Sequence, residues 1–233
     1  MTAIAGHYWA GHLGCAEREL FSQPLRIVPH GKDLAGYDGV FALFRGSAAI
    51  VSIPPEREDA IRRHLVVRKG LISPLLLASR LSEVGEKIVG PAFVGYASTV
   101  LPPAHSVKEL DPSDLDARNA LRKACTAEEW EHGGGAEEGP SSGVIVDGCL
   151  AALASYEVWG NAIAHISIVT HPAHRHQGHG RNAVAHLARR ALACGLLPQY
   201  RTLESNAPSM KIAHSLGFQA YARSIAIRLR PPA

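Results

Sequence analysis

The segment over residues 162–194 constrains the fold of this chain more than any other. It opens with an apolar, β-branched run that ends at Ile168 and Val169, continues as HPAHRHQGHGR, and closes with an alanine-rich stretch from Asn182. Short β-branched runs are typical of strands, and long alanine-rich stretches with regularly spaced leucines are typical of helices. The sequence therefore predicts a strand over 162–169, a turn over 171–181 and a helix over 182–194.

The predicted turn has the composition of an anion site. It places Arg175, Arg181 and two glycines where a strand turns into the N-terminus of a helix. Unpaired backbone N–H groups and the positive end of the helix dipole face outward at such a junction. Residues 158–203 contain no Asp or Glu, although five arginines fall within them. We therefore expect the turn to bind a phosphate-bearing ligand.

Composition narrows the class of protein. A chain of 233 residues can form one large or two small domains, and 46% hydrophobic with 19% charged residues is ordinary for a globular protein. The formal net charge of +3 disfavours a general nucleic-acid surface. The four cysteines are scattered and no signal-peptide pattern begins at Met1, so we expect reduced thiols in a cytoplasmic protein. No apolar run approaches the roughly 20 residues of a membrane helix, so no membrane partner is expected.

Local patterns predict a mixed α/β chain on both sides of the Pro102-Pro103 pair, which marks the expected boundary between domains over 1–104 and 105–233. Glycines over 133–135 and 139–143 predict a flexible loop. The other predicted strands lie over 40–44, 48–53, 93–97, 144–146, 150–156, 201–204 and 221–229, and the other helices over 56–65, 73–81, 113–124, 127–132 and 207–215.

Two motifs in this order resemble those of the GNAT superfamily of acyl-CoA-dependent N-acetyltransferases. The resemblance covers residues 105–229 and is carried by Arg175-x-x-Gly178-x-Gly180, followed by Asn206, Ser209 and Leu216-Gly217-Phe218. It implies an α/β fold of the GNAT type, with a mixed, mostly antiparallel sheet flanked by helices. Residues 1–104 are then an N-terminal α/β extension, whose strand-helix-helix-strand order suggests a degenerate copy of the same fold. The Cys125-x-x-x-x-Trp130 pattern and this extension resemble a bacterial subgroup related to zwittermicin-resistance acetyltransferases.

The resemblance also implies ligands and partners. Acetyl-CoA, or another short acyl-CoA, would be the acyl donor, with its pyrophosphate on the turn and its pantetheine arm along the preceding strand. The acceptor would be an amine of a small molecule or a peptide, nucleic acid is disfavoured as a partner, and a homodimer is left open. The residues assigned to the donor are Ile168, Val169, Arg175, His176, Gln177, Gly178, His179, Gly180, Arg181, Asn206 and Ser209.

The leaving group and the proton transfer are less well defined. Many family members have a tyrosine about seven residues after the asparagine, which protonates the leaving thiolate, and this chain has Ala213 there. Ser209 or a water molecule would have to serve instead. Transfer to an amine also needs a proton acceptor, for which Glu204 is the first candidate. Glu128 and Glu129 are alternatives for holding a cationic substrate.

His165 is a further candidate for the proton acceptor. Family bases often lie at the positions that Ala164 and Ile166 occupy here. Strand alternation points His165 to the opposite face, so it becomes a base only if a bulge shifts the register.

Other interpretations of the turn are weaker. A Rossmann fingerprint needs an acidic residue about 20 positions downstream of its glycines, and none precedes Glu204. The spacing of His171, His174, His176 and His179 fits no familiar zinc pattern, so no metal is predicted. The main alternative from another class is a non-catalytic acyl-CoA-binding sensor or scaffold, because the family tyrosine is missing. A nucleic-acid-binding protein is a third possibility, suggested only by the local basic segment.

Overall fold

The structure is a computed structural model that describes residues 2–65, 72–111, 113–134 and 139–231. The helices are α1 (Thr2–Leu13), α2 (Glu58–Leu65), α3 (Pro74–Arg80), α4 (Leu115–Ala124), α5 (Ala127–Gly133), α6 (His179–Ala193) and α7 (Ala207–Ser215). The strands are β1 (Arg26–Pro29), β2 (Gly39–Arg45), β3 (Ala48–Ile53), β4 (Gly85–Tyr96), β5 (Lys108–Leu110), β6 (Ser141–Val146), β7 (Cys149–Trp159), β8 (Ile163–Thr170), β9 (Leu197–Leu203) and β10 (Gln219–Leu229).

The segment over residues 162–194 folds as predicted, as strand β8, a turn and helix α6. The helix begins three residues before the predicted start at Asn182, because the glycine-rich end of the turn is itself helical. Helix α1 was not predicted. Two glycines lower its intrinsic helix propensity, and it is stabilised by burial of one face that includes Trp9 and Leu13.

One compact unit of the chain comprises residues 95–201 and 207–219. Its strands follow the order β9-β8-β7-β6-β5, in which β8 and β9 are parallel and the other neighbours are antiparallel. Val169 packs with Leu121 of α4 and near Trp130 of α5, whereas Ile168 and Thr170 face α6. Because successive strand residues point to opposite faces, α6 covers one face of this sheet and α4 and α5 the other.

The second compact unit comprises residues 2–94, 202–206 and 220–233, within the described ranges. Its strands follow the order β1-β3-β2-β10-β4, and α2 and α3 pack on an apolar core that includes Val51, Ile61 and Leu77. Strand β10 joins this unit because it pairs in antiparallel fashion with β2. The boundary at 104/105 stays a prediction about domains, while the compact units divide near residue 94 and the last strand groups with the N-terminal residues.

No helix in the described ranges combines the length and the hydropathy needed to cross a membrane.

The glycine run after Trp130 is not simply the flexible loop that its composition suggested. Gly133 is the last residue of α5 and is buried against β8, and β6 already begins at Ser141, whereas Gly135 lies outside the described residues. A Cβ atom added to Gly133 would lie 2.4 Å from the carbonyl oxygen of Ile168. The missing side chain therefore allows the end of α5 to contact the backbone of β8.

This contact predicts that Gly133→Ala lowers the free energy of unfolding by about 1–3 kcal/mol, because the added methyl group overpacks the interface between helix and strand. The control is Gly11→Ala in α1, where the new Cβ would meet nothing within 4 Å. It should raise the free energy of unfolding by about 0.5–1 kcal/mol, through helix propensity alone. Urea unfolding measures the free energy of unfolding of both variants. An unchanged free energy in Gly133→Ala would contradict the close contact between α5 and β8.

Candidate functional site

Strands β8 and β9 part before either of them ends. Their parallel pairs run from Ile163–Leu197 to Ile166–Tyr200, although β8 continues to Thr170 and β9 to Leu203. On its other side β8 stays paired with β7 as far as Thr170. Backbone groups that face β9 over residues 167–170 are thus left without strand pairing in the described structure, and such groups bind other partners. Ile168 and Val169, which were predicted to contact the pantetheine arm, lie in this segment.

The turn after β8 leads directly into an open helix N-terminus. Gly178 is the N-cap residue of α6, with a φ of 82°, and His176 has a φ of 64°. The amide of Asn182 donates to the Gly178 carbonyl at 3.1 Å, so the amides of residues 179–181 precede the regular helical bonds. No side chain caps the helix and its first turn contains no acidic residue. These are the backbone features that favour an anion at a helix N-terminus.

The two motif glycines have different reasons to be glycine. Gly178 adopts the left-handed conformation, and a Cβ atom there would meet nothing within 4 Å, so the space above the helix start is open. A Cβ atom on Gly180 would instead lie 2.8 Å from Thr170 Oγ1 and 3.5 Å from the side chains of Ile168 and Ile212. Gly180 therefore allows α6 to pack closely on β8, and Gly178 is the position with open space beside it.

Arg175 is anchored at the base of the turn. Its guanidinium group donates to Glu129 Oε1 at 2.7 Å and to the Thr170 carbonyl at 3.3 Å. Glu129 also accepts from the amide of Thr126 at 3.0 Å in the capping box of α5. Hydrogen bonding to the Thr126 amide and the charge of Arg175 lower the pKa of Glu129. Glu129 is therefore already engaged by cationic and amide donors, which leaves little capacity for the predicted binding of a cationic substrate.

The remaining polar side chains of the turn face the helix start or its neighbours. Arg181 donates to Ser215 Oγ at 3.2 Å, and His179 Nε2 lies 3.3 Å from Gln177 Oε1. Burial lowers the pKa of His179, and the charges of His174 and His105 lower it further. Within the described ranges, no group of three or more His, Cys, Asp or Glu residues is arranged to hold a metal ion.

Ser209 lies in the first turn of α7, beside a tyrosine that the sequence analysis did not consider. Its hydroxyl is 2.8 Å from the hydroxyl of Tyr200, the residue at which β8 and β9 part. Burial raises the pKa of Tyr200 to about 12, so this phenol stays protonated. Ala213, at the position of the family tyrosine, is buried. Asn206 is exposed just before α7, and its backbone N–H donates to the Leu203 carbonyl at 3.0 Å.

Glu204 is held by an arginine within the second unit. Arg223 Nε donates to Oε1 of Glu204, and Arg223 Nη2 donates to Oε2, each at 2.5 Å. This bidentate contact raises the pKa of Arg223. Both oxygens of Glu204 are therefore occupied by Arg223, and a base at this position would have to break one of these bonds.

His165 lies on a regular part of β8 and is partly exposed. The pairs with β7 run without a register shift from Ile163 to Thr170, so the bulge that the sequence analysis required is absent from β8. Ile166 and Ala164 are buried, whereas His165 shares the opposite face with Val169. That face carries α4 and α5, so His165 points away from the side of Ala164 and Ile166, as strand alternation predicts.

A polar network surrounds the His165 ring. The ring stacks on the indole of Trp159, with centroids 3.8 Å apart and planes 14° apart. Its Nδ1 lies 2.9 Å from Oε1 of Gln199, and Gln199 Nε2 donates to the Tyr96 hydroxyl at 2.5 Å. Burial and the charge of Arg201 lower the pKa of His165 to about 4. The imidazole is therefore neutral at physiological pH.

Gln199 and the Arg175–Glu129 contact were missed because their partners are distant in sequence. The contacts of Gln199 with His165 and of Arg175 with Glu129 join residues 34 and 46 positions apart. One signal was visible, since a glutamine and a tyrosine need polar partners when a strand buries them.

Comparison with known proteins identifies relatives of this part of the chain. Residues 106–218 match the model of the acetyltransferase (GNAT) family. The mycothiol acetyltransferase of Stackebrandtia nassauensis is 36% identical over 63 residues, which make up 26% of this chain and 21% of that protein. The chain thus matches about one fifth of the length of this curated relative.

Two solved structures are similar in fold to this chain. A GNAT-family protein from Novosphingobium aromaticivorans has a TM-score of 0.51 at 23% identity, covering 64% of this chain and 67% of its own. A GNAT acetyltransferase from Colwellia psychrerythraea also has a TM-score of 0.51, at 12% identity, covering 77% and 76%. The predicted fold class is confirmed, and the family match supports the GNAT resemblance, whereas the narrower zwittermicin-resistance subgroup stays a prediction.

The low pKa of His165 makes stability depend on pH. Between pH 6.5 and about 4 the unfolded chain binds a proton on this residue and the folded chain does not, so stability falls as the pH falls. Relative to His165→Gln, the wild type should lose about 3 kcal/mol of unfolding free energy between pH 7.5 and pH 4. Urea unfolding at several pH values tests this, and parallel pH curves for the two proteins would contradict it.

Proposed function

We propose that this chain, whose residues 106–218 carry the sequence pattern of the acetyltransferase (GNAT) family, transfers the acetyl group of acetyl-CoA to a primary amine. The observation that carries the proposal is that one strand-turn-helix unit contains both an unpaired strand segment, after Ile166, and an open, acid-free helix N-terminus at Gly178. The first suits an extended arm with amide groups, and the second suits a pyrophosphate.

Different residues of the turn bind different parts of the donor or hold the turn in place. The amides of His179, Gly180 and Arg181 bind the pyrophosphate oxygens, with Gly178 leaving room above them. The side chains of His176 and Gln177 line the same turn. Arg175 adds positive charge, and its bonds to Glu129 and Thr170 hold the turn in place.

Backbone groups of β8 bind the rest of the donor. Main-chain atoms near Ile168 and Val169 would hold the pantetheine arm where β8 has left β9, and polarise the thioester carbonyl. Asn206 and Ser209 keep the roles that the resemblance assigns to them, with Ser209 beside the thiolate. The contact with Tyr200 favours this role for Ser209, because a neighbouring phenol that stays protonated can support a hydroxyl next to developing negative charge.

In the proposed reaction the amine nitrogen attacks the thioester carbonyl carbon directly. A carbon–nitrogen bond forms, the carbon–sulfur bond breaks with its electron pair going to sulfur, and the amine gives up a proton. His165 is the proposed proton acceptor, although β8 has no bulge and the low pKa makes the ring a weak base, because its lone pair is available at physiological pH while both oxygens of Glu204 are bound by Arg223. The acceptor is expected to be a small molecule or a peptide, in a cytoplasmic setting, and a homodimer is left open.

A second candidate function is that of a non-catalytic acyl-CoA-binding sensor or scaffold. The observation that favours it is Ala213, which is buried on α7 where many family members carry the tyrosine that protonates the thiolate. Such a module would bind the donor at the same turn without consuming it.

The donor site is tested by two variants that differ only in charge. Asn and Asp both tolerate the left-handed conformation of Gly178, so Gly178→Asp should weaken CoA binding about tenfold or more relative to Gly178→Asn, through repulsion of the phosphates. The control is Gly195→Asp, since Gly195 also has a positive φ and open space but lies at the far end of α6. Its CoA affinity by calorimetry should match the wild type, and equal affinities for all three variants would contradict the site.

Catalysis is tested with acetyl-CoA and a panel of amines, by following free thiol release and the mass of the acetylated amine. Turnover with at least one amine, lost in Gly178→Asp, is the expected result. Tight CoA binding without turnover on a broad panel would instead favour the sensor or scaffold.

A further inference from the structure

Gln199 occupies an unusual position for an amide. It is fully buried in β9, next to Tyr200 and opposite His165 in the parallel register. A buried amide is costly unless both of its ends are bonded. Both ends of Gln199 are bonded, through Nε2 to the Tyr96 hydroxyl and through Oε1 to His165 Nδ1.

The direction of these two bonds determines which ring nitrogen of His165 carries the hydrogen. An amide donates only through nitrogen and accepts only through oxygen. Because Nε2 of Gln199 donates to Tyr96, its Oε1 faces His165 and requires a hydrogen on Nδ1. The neutral ring then has its lone pair on Nε2.

Two contacts hold the ring and leave Nε2 unengaged by either of them. Trp159 covers one ring face and Gln199 takes the Nδ1 edge. Two charged residues belong to the surroundings of the network. Glu157 is paired opposite His165 on β7 and accepts from the Trp159 indole at 3.1 Å, and Arg201 lowers the pKa of His165.

We propose that Gln199 is a positioning residue that holds His165 in the Nδ1–H tautomer, so that Nε2 accepts the proton of the attacking amine. The inference rests on the proposed function. His165 lies one residue before the point at which β8 and β9 part, where the reacting carbonyl is expected. The proton moves from the amine nitrogen to Nε2 as the carbon–nitrogen bond forms, and later to solvent. The imidazolium formed in between is stabilised by the Gln199 oxygen on Nδ1–H.

The tautomer is tested without any substrate, by long-range proton–nitrogen NMR of the full chain with ¹⁵N-labelled histidine at pH 7. His165→Gln identifies the signals of His165. The expected spectrum has a protonated Nδ1 and a bare Nε2, and a protonated Nε2 in the wild type would overturn the proposal. Gln199→Met, which removes both polar ends at similar size, should abolish the preference for Nδ1–H.

Gln199→Glu separates positioning from a purely structural role. A carboxylate that accepts from Nδ1–H stabilises the imidazolium, so the pKa of His165 should rise by about one unit or more, together with the acidic limb of the pH–rate profile. In Gln199→Met, kcat should fall about tenfold or more with the KM for acetyl-CoA unchanged within about twofold. Circular dichroism and CoA affinity verify that both variants are folded.

The two arms distinguish the failure of this inference from failure of the proposed function. Wild-type turnover with an unchanged kcat in Gln199→Met would overturn the role of Gln199 and leave the acetyltransferase assignment standing. A bare Nε2 without turnover on any amine would contradict the acetyltransferase assignment, and with it the proton transfer, while leaving the tautomer assignment intact.

Discussion

The parting of β8 from β9 is the constraint on which the candidate site depends. Parallel pairing holds the two strands together as far as Ile166 and Tyr200, and β8 then continues with a partner on one side only. Because backbone N–H and C=O groups seldom remain unbonded, an unpaired strand segment is a place for an extended ligand. The turn after this segment directs the chain into α6, whose first amides face the same end of the strand. A single local divergence thus produces both halves of the proposed donor site.

The packing of α5 and α6 on β8 holds this geometry in place. Gly180 allows α6 to approach Thr170 and Ile168, and Gly133 allows the end of α5 to approach the same strand from the other face. The bond from Arg175 to Glu129 connects the turn to α5. The two glycine contacts are steric, and the Arg175–Glu129 bond is charge-assisted and partly exposed. Together they hold the backbone of the turn in one conformation, so that a ligand would not have to order it on binding.

The chemistry of the acceptor side depends on how polar groups are satisfied within the sheet. Burial makes His165 a neutral imidazole, and in our proposal the amide of Gln199 determines which of its nitrogens accepts a proton. Glu204, the acid that the sequence favoured, has both oxygens bound by Arg223. The lack of a tyrosine at Ala213 leaves the hydroxyl of Ser209, next to Tyr200, as the protein group assigned to the thiolate.

Local patterns were enough to predict the strand-turn-helix unit, because periodicity and glycine act within a few residues. The GNAT type of fold followed from the resemblance of two motifs, and the anion-binding character of the turn stays a prediction. Local patterns placed the start of α6 three residues late. The partners of His165, Arg175 and Glu204 depend on folding, since their contacts join residues 34, 46 and 19 positions apart. The sequence determines which chemical group each side chain carries. Its protonation state, and whether it is free to bind a ligand, depend on neighbours that only chain folding brings within hydrogen-bonding distance.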